Sequence, residues 1–125
     1  MTNLTLARLV PLPSHAAVEV ALASVVIGLP FALGFDASAL VVAVVIGVLM
    51  MGTGLGAATQ VSGRGGPGAL RVSAHADVDL GFALASALAA LVFAIGGDVG
   101  PAGLFVAIAA AQGLLAVTTR YSARA

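Results

Sequence analysis

The sequence predicts an all-α fold: a four-helix transmembrane bundle made of two tandem two-helix hairpins, with both termini on the cytoplasmic side. Three observations predict it. The 125 residues are 61% hydrophobic and 8% charged, against about 25% charged in ordinary soluble chains, so the charges are too few to cover a water-facing surface. Four apolar stretches follow one another, each long enough to cross about 30 Å of hydrocarbon. The basic residues are all arginines, at 8, 64, 71, 120 and 124, and none lies between the first and second stretches or between the third and fourth.

Residues 1–13 read as a short cytoplasmic tail, with Arg8 its one charge and Pro11 and Pro13 breaking any continuous run. Four further apolar stretches argue against a cleaved signal peptide. The first hairpin spans 14–59. Its helices run from about Ala16 to Phe35, with Glu19 the only charge before Asp36, and from Ala37 to about Ala58. Residues 60–73 form a Gly-rich cytoplasmic linker containing Ser62-Gly63-Arg64-Gly65-Gly66-Pro67-Gly68, a flexible polar joint. The second hairpin spans 74–119, with helices from about Asp77 to Gly97 and from Val99 to Thr119; residues 120–125 are a second tail. Period-2 alternation is absent, which excludes a membrane barrel and leaves helices, whose backbone bonds close internally. Asp36 and Asp98 sit where each hairpin's second helix begins, a position that favours an acid.

The arginine distribution fixes the orientation. With four spans, the two tails and the central linker share one side, and the positive-inside rule makes that side cytoplasmic. The expected location is the cell (inner) membrane, with the lipid bilayer as the first partner. Net charge is zero, so nothing suggests a nucleic-acid partner. The absence of Cys removes disulfides and thiolate metal sites. No phosphate loop, nucleophile–base pair or cofactor fingerprint is present, so no enzyme activity is expected.

The repeat shows in two blocks. Ser14-His15-Ala16-Ala17-Val18-Glu19 returns as Ala74-His75-Ala76-Asp77-Val78-Asp79, and Phe31-Ala32-Leu33-Gly34-Phe35-Asp36 returns as Phe93-Ala94-Ile95-Gly96-Gly97-Asp98. Small residues at four-residue spacing, Gly52/Gly56 and Ala109/Gly113, allow close helix approach in lipid. They predict packing within the bundle or against a second copy or a membrane-protein partner.

Leu29-Pro30-Phe31-Ala32-Leu33-Gly34-Phe35 resembles the Ser-Pro-Trp-x-Leu-Gly-Phe signature of the SPW-repeat membrane proteins, with Leu29 and Phe31 in place of the Ser and Trp. The resemblance implies a pair of transmembrane helices as the unit and carries no chemistry. Glu19-Val20 in the first helix is similar in position to the essential Glu of the small multidrug transporters, although that family's substrate-lining aromatics are missing.

His15 and Glu19 lie one turn apart on one helix face, and so do His75 and Asp79. Both helices start at the same membrane side, so the four side chains have similar depth. Three readings follow. Ser14, Asp77 and Asp79 cap or favour the positive helix ends, and the histidines reach water at the interface. Alternatively the four converge as ligands for Zn²⁺, Mn²⁺ or Fe²⁺, or the histidines hold a haem. Or they relay protons, with Glu19 as the coupling residue of a small transporter. The leading expectation is a structural or accessory membrane protein acting through helix packing. Gln112 is expected to make an interhelical hydrogen bond.

Overall fold

The computed structural model describes residues 9–61 and 72–121. Its elements in order are β1 (Val10–Pro11), α1 (Leu12–Ala32), α2 (Ala37–Val61), α3 (Val72–Ile95), α4 (Val99–Thr118) and β2 (Thr119–Arg120). All four helices are long and apolar enough to cross a membrane. Apart from the two-residue strands the fold is all-α. Arg8, Arg64, Arg71, Arg124 and the glycine-rich joint lie outside the described residues.

The first helix starts earlier than the sequence suggests. Pro11 is its N-cap residue in extended conformation and Pro13 falls in its first turn. Proline breaks a helix interior but suits the first turn, where its missing N–H had no partner to lose. Ser14 therefore lies inside α1 and does not cap it. The third helix likewise begins at Val72, five residues before Asp77. His15 and His75 are each the fourth residue of their helix, and Glu19 and Asp79 each the eighth.

Both hairpins turn on a glycine. Gly34 and Gly97 adopt φ of +68° and +84°, the only positive values among the described residues. In the first turn the Phe35 N–H donates to the Pro30 carbonyl and the Gly34 N–H to Phe31; in the second, Asp98 donates to Phe93 and Gly97 to Ala94. This is the paired C-terminal bonding of a Schellman turn. Sequence matching pairs Gly34 with Gly96, whereas the left-handed residue is Gly97, because the first turn is one residue longer. Asp36 caps α2: its Oδ1 accepts from the Ala39 N–H at 3.0 Å and from the Ser38 hydroxyl at 2.8 Å. Asp98 precedes α4 without a side-chain cap bond.

Close backbone approach is concentrated within each hairpin, α1 on α2 and α3 on α4. Between α1 and α2 it occurs at Gly47 and Gly54. A Cβ on Gly47 would stand 2.5 Å from Ile27 Cγ1 and 3.2 Å from the Ala23 carbonyl; one on Gly54 would stand 3.0 Å from Val20 Cγ2. At Gly52, Gly56 and Gly113 a Cβ would meet nothing within 4 Å. The predicted Gly52/Gly56 pair therefore makes no close approach in this chain. Ala109 is half-buried. The hairpins meet through larger side chains, with Met50, Phe82, Phe93 and Phe105 in one core with alanines. At the ends, Val10–Pro11 pairs in parallel with Thr119–Arg120.

The polarity of the fold is inverted. Large apolar residues such as Val41, Leu84, Leu88 and Ile95 face outward, while His15, Glu19, His75, Asp79, Ser86, Gln112 and Thr119 are buried. A bilayer satisfies the first group; the second must satisfy itself.

Two outcomes test this architecture. Gly47→Val should lower unfolding free energy in lipid by about 1–3 kcal/mol through overpacking, whereas Gly52→Val and Gly56→Val should leave it nearly unchanged, as read by steric trapping. Asp36→Ala should lower the thermal midpoint. The Ala39 N–H and the Ser38 hydroxyl hold the Asp36 carboxyl below its ordinary range. Its contribution is therefore complete above that range and lost as the pH falls through and below it. The wild type and the alanine variant should converge in acid.

Candidate metal centre

Helix geometry places two half-sites opposite each other. A four-residue spacing puts His15 over Glu19 on α1 and His75 over Asp79 on α3. All four side chains are at most 1% exposed. His15 Nε2 stands 2.9 Å from Asp79 Oδ2, and His75 Nε2 stands 3.1 Å from Glu19 Oε2. The separations within each helix are longer, 3.5 Å for His15–Glu19 and 3.4 Å for His75–Asp79. The two Nε2 atoms are 3.3 Å apart. Each imidazole thus lies closer to the other hairpin's carboxylate than to its own.

These five edges run from 2.9 to 3.5 Å. Ligand bonds of 2.0–2.1 Å in tetrahedral geometry give edges of roughly 3.3–3.4 Å. The four donor atoms all lie within 4.8 Å of one another. Five of the six edges thus match a compact four-coordinate two-histidine, two-carboxylate site, drawn equally from both hairpins.

The surrounding hydrogen bonds orient the ligands. The Thr119 hydroxyl donates its one hydrogen to the Leu115 carbonyl at 2.6 Å. Its oxygen is 2.7 Å from His15 Nδ1, so His15 donates through Nδ1–H. In the neutral ring this leaves the Nε2 lone pair aimed at the centre, the tautomer a metal requires; the assignment follows from the network. The Thr53 hydroxyl on α2 is 3.0 Å from both Glu19 Oε1 and the Met50 carbonyl, which share its one hydrogen. The Tyr121 hydroxyl donates to Asp79 Oδ2 at 2.5 Å. Burial and the Asp79 carboxylate push the Tyr121 phenol far up, which keeps it a donor. Its ring meets His15 edge-on, with centroids 5.4 Å apart and planes at 67°, and roofs the site.

The structure thus brings His15, Glu19, His75 and Asp79 together and overturns the capping reading: none lies at a helix terminus, and all four point inward. The same geometry bears on the haem reading. The two Nε2 atoms are too close, and both carboxylates occupy the space a macrocycle would need. Gln112 is buried as expected, but neither amide atom has a hydrogen-bond partner among the described residues. Thr53, Thr119 and Tyr121 escaped the sequence reading as site residues. The signals available were slight: Tyr121 is the one tyrosine in the chain, and Thr53 is one of few polar residues within its stretch.

Chemically, two carboxylates and two imidazoles meet in an apolar interior; no partner among the described residues sets the His75 tautomer, because its Nδ1 is buried and unpaired. Carboxylate oxygens and an imidazole lone pair at 3 Å repel unless a cation lies between them. Two protons or one divalent ion would each neutralise the two carboxylates. No protein-family model, curated protein or solved structure matches the chain, so its functional reading rests on this geometry.

Proposed function

We propose that this chain is a small multi-pass membrane protein built around a buried divalent-cation site, with His15, Glu19, His75 and Asp79 as ligands. One observation carries the reading: four ligand-type side chains, two from each hairpin, converge with histidine–carboxylate and histidine–histidine separations of 2.9–3.5 Å while Thr119 turns the His15 lone pair inward. Nitrogen and oxygen donors in a compact tetrahedron favour Zn²⁺; Mn²⁺ and Fe²⁺ are the other candidates for this donor set. The protein supplies all four positions and leaves none open for a substrate. That is the pattern of a structural rather than a catalytic site, and it supports a structural or accessory role over an enzymatic one.

Several features agree with this reading. The arginine pattern supports a cell (inner) membrane location with both termini cytoplasmic, which puts the site near the cytoplasmic face. Similar residue blocks in both hairpins support a tandem repeat, each copy supplying one histidine and one carboxylate. The resemblance of residues 29–35 to the SPW-repeat proteins agrees with the two-helix unit. Outward-facing Gly52 and Gly56 leave room for a second copy or a membrane partner. The second reading is a proton-coupled transporter, favoured by the 2.9 and 3.1 Å histidine–carboxylate pairs, which protons could bridge in place of a metal.

Metal titration in lipid nanodiscs, on protein made without a histidine tag, separates these readings. The wild type should bind one equivalent of Zn²⁺, and His15→Ala or His75→Ala should abolish binding while helix content, read by circular dichroism, persists. Thr119→Val should weaken affinity by about 10–100-fold, the usual effect of losing a partner that orients a ligand. Failure of the wild type to bind Zn²⁺, Mn²⁺ or Fe²⁺ would overturn the proposal. Proton flux in liposomes, abolished by Glu19→Gln, would then favour the transporter.

A further inference from the structure

The register of α3 against α4 exposes a second polar layer. Phe93 on α3 and Phe105 on α4 stack with centroids 5.5 Å apart and planes at 10°, which puts them at one level. Seven residues from this pair, moving away from the hairpin turn, are Ser86 on α3 and Gln112 on α4. Seven further are Asp79 and Thr119, at the cation site. Seven residues are about two helical turns, so the three layers stand roughly 10 Å apart. Antiparallel helices keep the members of each pair level, so Ser86 and Gln112 share a layer between the cation site and the aromatic pair.

This layer is buried and unpaired. Ser86 and Gln112 are both 0% exposed. The Ser86 hydroxyl and both amide atoms of Gln112 have no hydrogen-bond partner among the described residues. Other helical hydroxyls behave differently: those of Ser24, Thr59 and Thr118 return to a carbonyl of their own helix. Ser86 does not. An amide and a hydroxyl left dry in an apolar interior lose the hydrogen bonds that water gave them and gain none in return. Both are neutral, so a charged guest would go uncompensated. Both can donate and accept, so the guest must do the same, and the site's enclosure requires a small one. Water meets all three conditions.

We propose that Ser86 and Gln112 form an internal hydration site within the bundle, bounded on one side by the stacked Phe93 and Phe105. On the other side the polar file runs toward Asp79, whose Oδ1 is also buried and unpaired. The hydrated file enters from the layer of the cation site and ends at the aromatic pair. It stands on the unpaired atoms alone and does not require that the upper site bind a metal.

Water-selected magnetisation transfer by NMR tests this directly, using ¹⁵N-labelled protein in nanodiscs of deuterated lipid. The chain has two glutamines, 60 and 112, so Gln112→Leu assigns the Gln112 side-chain amide by loss of its signal. In the wild type that amide should receive magnetisation from water, and Ser86→Ala should reduce the transfer. The amide at exposed Ser38 serves as the positive control. A Gln112 amide that receives nothing from water while Ser38 does would overturn the proposal. Through-bond correlation of the Gln112 side-chain amide to its own backbone gives the same assignment within the wild type, so the deciding comparison stands even if a variant fails to fold. Zn²⁺ titration of the same sample reports on the cation site separately.

Discussion

Two carboxylates and two imidazoles meeting inside an apolar bundle form the constraint on which the rest of the structure depends. Desolvating two like charges side by side is costly, and only an opposite charge between them repays it. The apolar contacts between hairpins cannot hold the assembly alone, because lipid tails offer comparable contacts. Directional cohesion must come from tight packing and polar bonds. Within each hairpin, packing supplies it, through Gly47 and Gly54 of α2 against α1 and through the helices' mutual approach in the second hairpin. Between the hairpins, the polar centre supplies much of it, since each histidine is nearest to the other hairpin's acid.

The remaining elements place or enclose that centre. Pro11 and Pro13 start α1 early enough to bury His15 and Glu19 in its second and third turns. The two Schellman turns return each hairpin so that Thr53 on α2 and Thr119 after α4 arrive beside the ligands. The short pairing of Val10–Pro11 with Thr119–Arg120 holds the Thr119–Tyr121 segment over the histidines. Every helix, or the strand that continues it, therefore contributes at least one group to the ligands or to their orientation.

Much of this was legible in the sequence, for physical reasons that also mark where legibility ends. Long apolar runs give spans because the hydrocarbon thickness sets their length, and the two His-x-x-x-acid pairs give shared faces because the helical period is fixed. Neither tells how a helix is rotated toward its neighbours. A four-residue Gly52/Gly56 motif therefore looked like a contact, while the contacts fall on Gly47 and Gly54, seven apart on another face. The prolines read as breakers because sequence alone does not distinguish a first turn from an interior. That error moved the start of α1 and made His15 and Glu19 resemble residues at a helix end. Thr119 and Tyr121 lay at the far end of the chain from His15, and only tertiary structure joins residues 104 positions apart.

The most direct test of the central claim is zinc K-edge X-ray absorption on the zinc-loaded protein in nanodiscs. The account predicts four nitrogen or oxygen scatterers at about 2.0–2.1 Å, with outer-shell scattering from two imidazoles. A six-coordinate oxygen shell without imidazole scattering would contradict it, since the ion would then sit elsewhere than between His15 and His75.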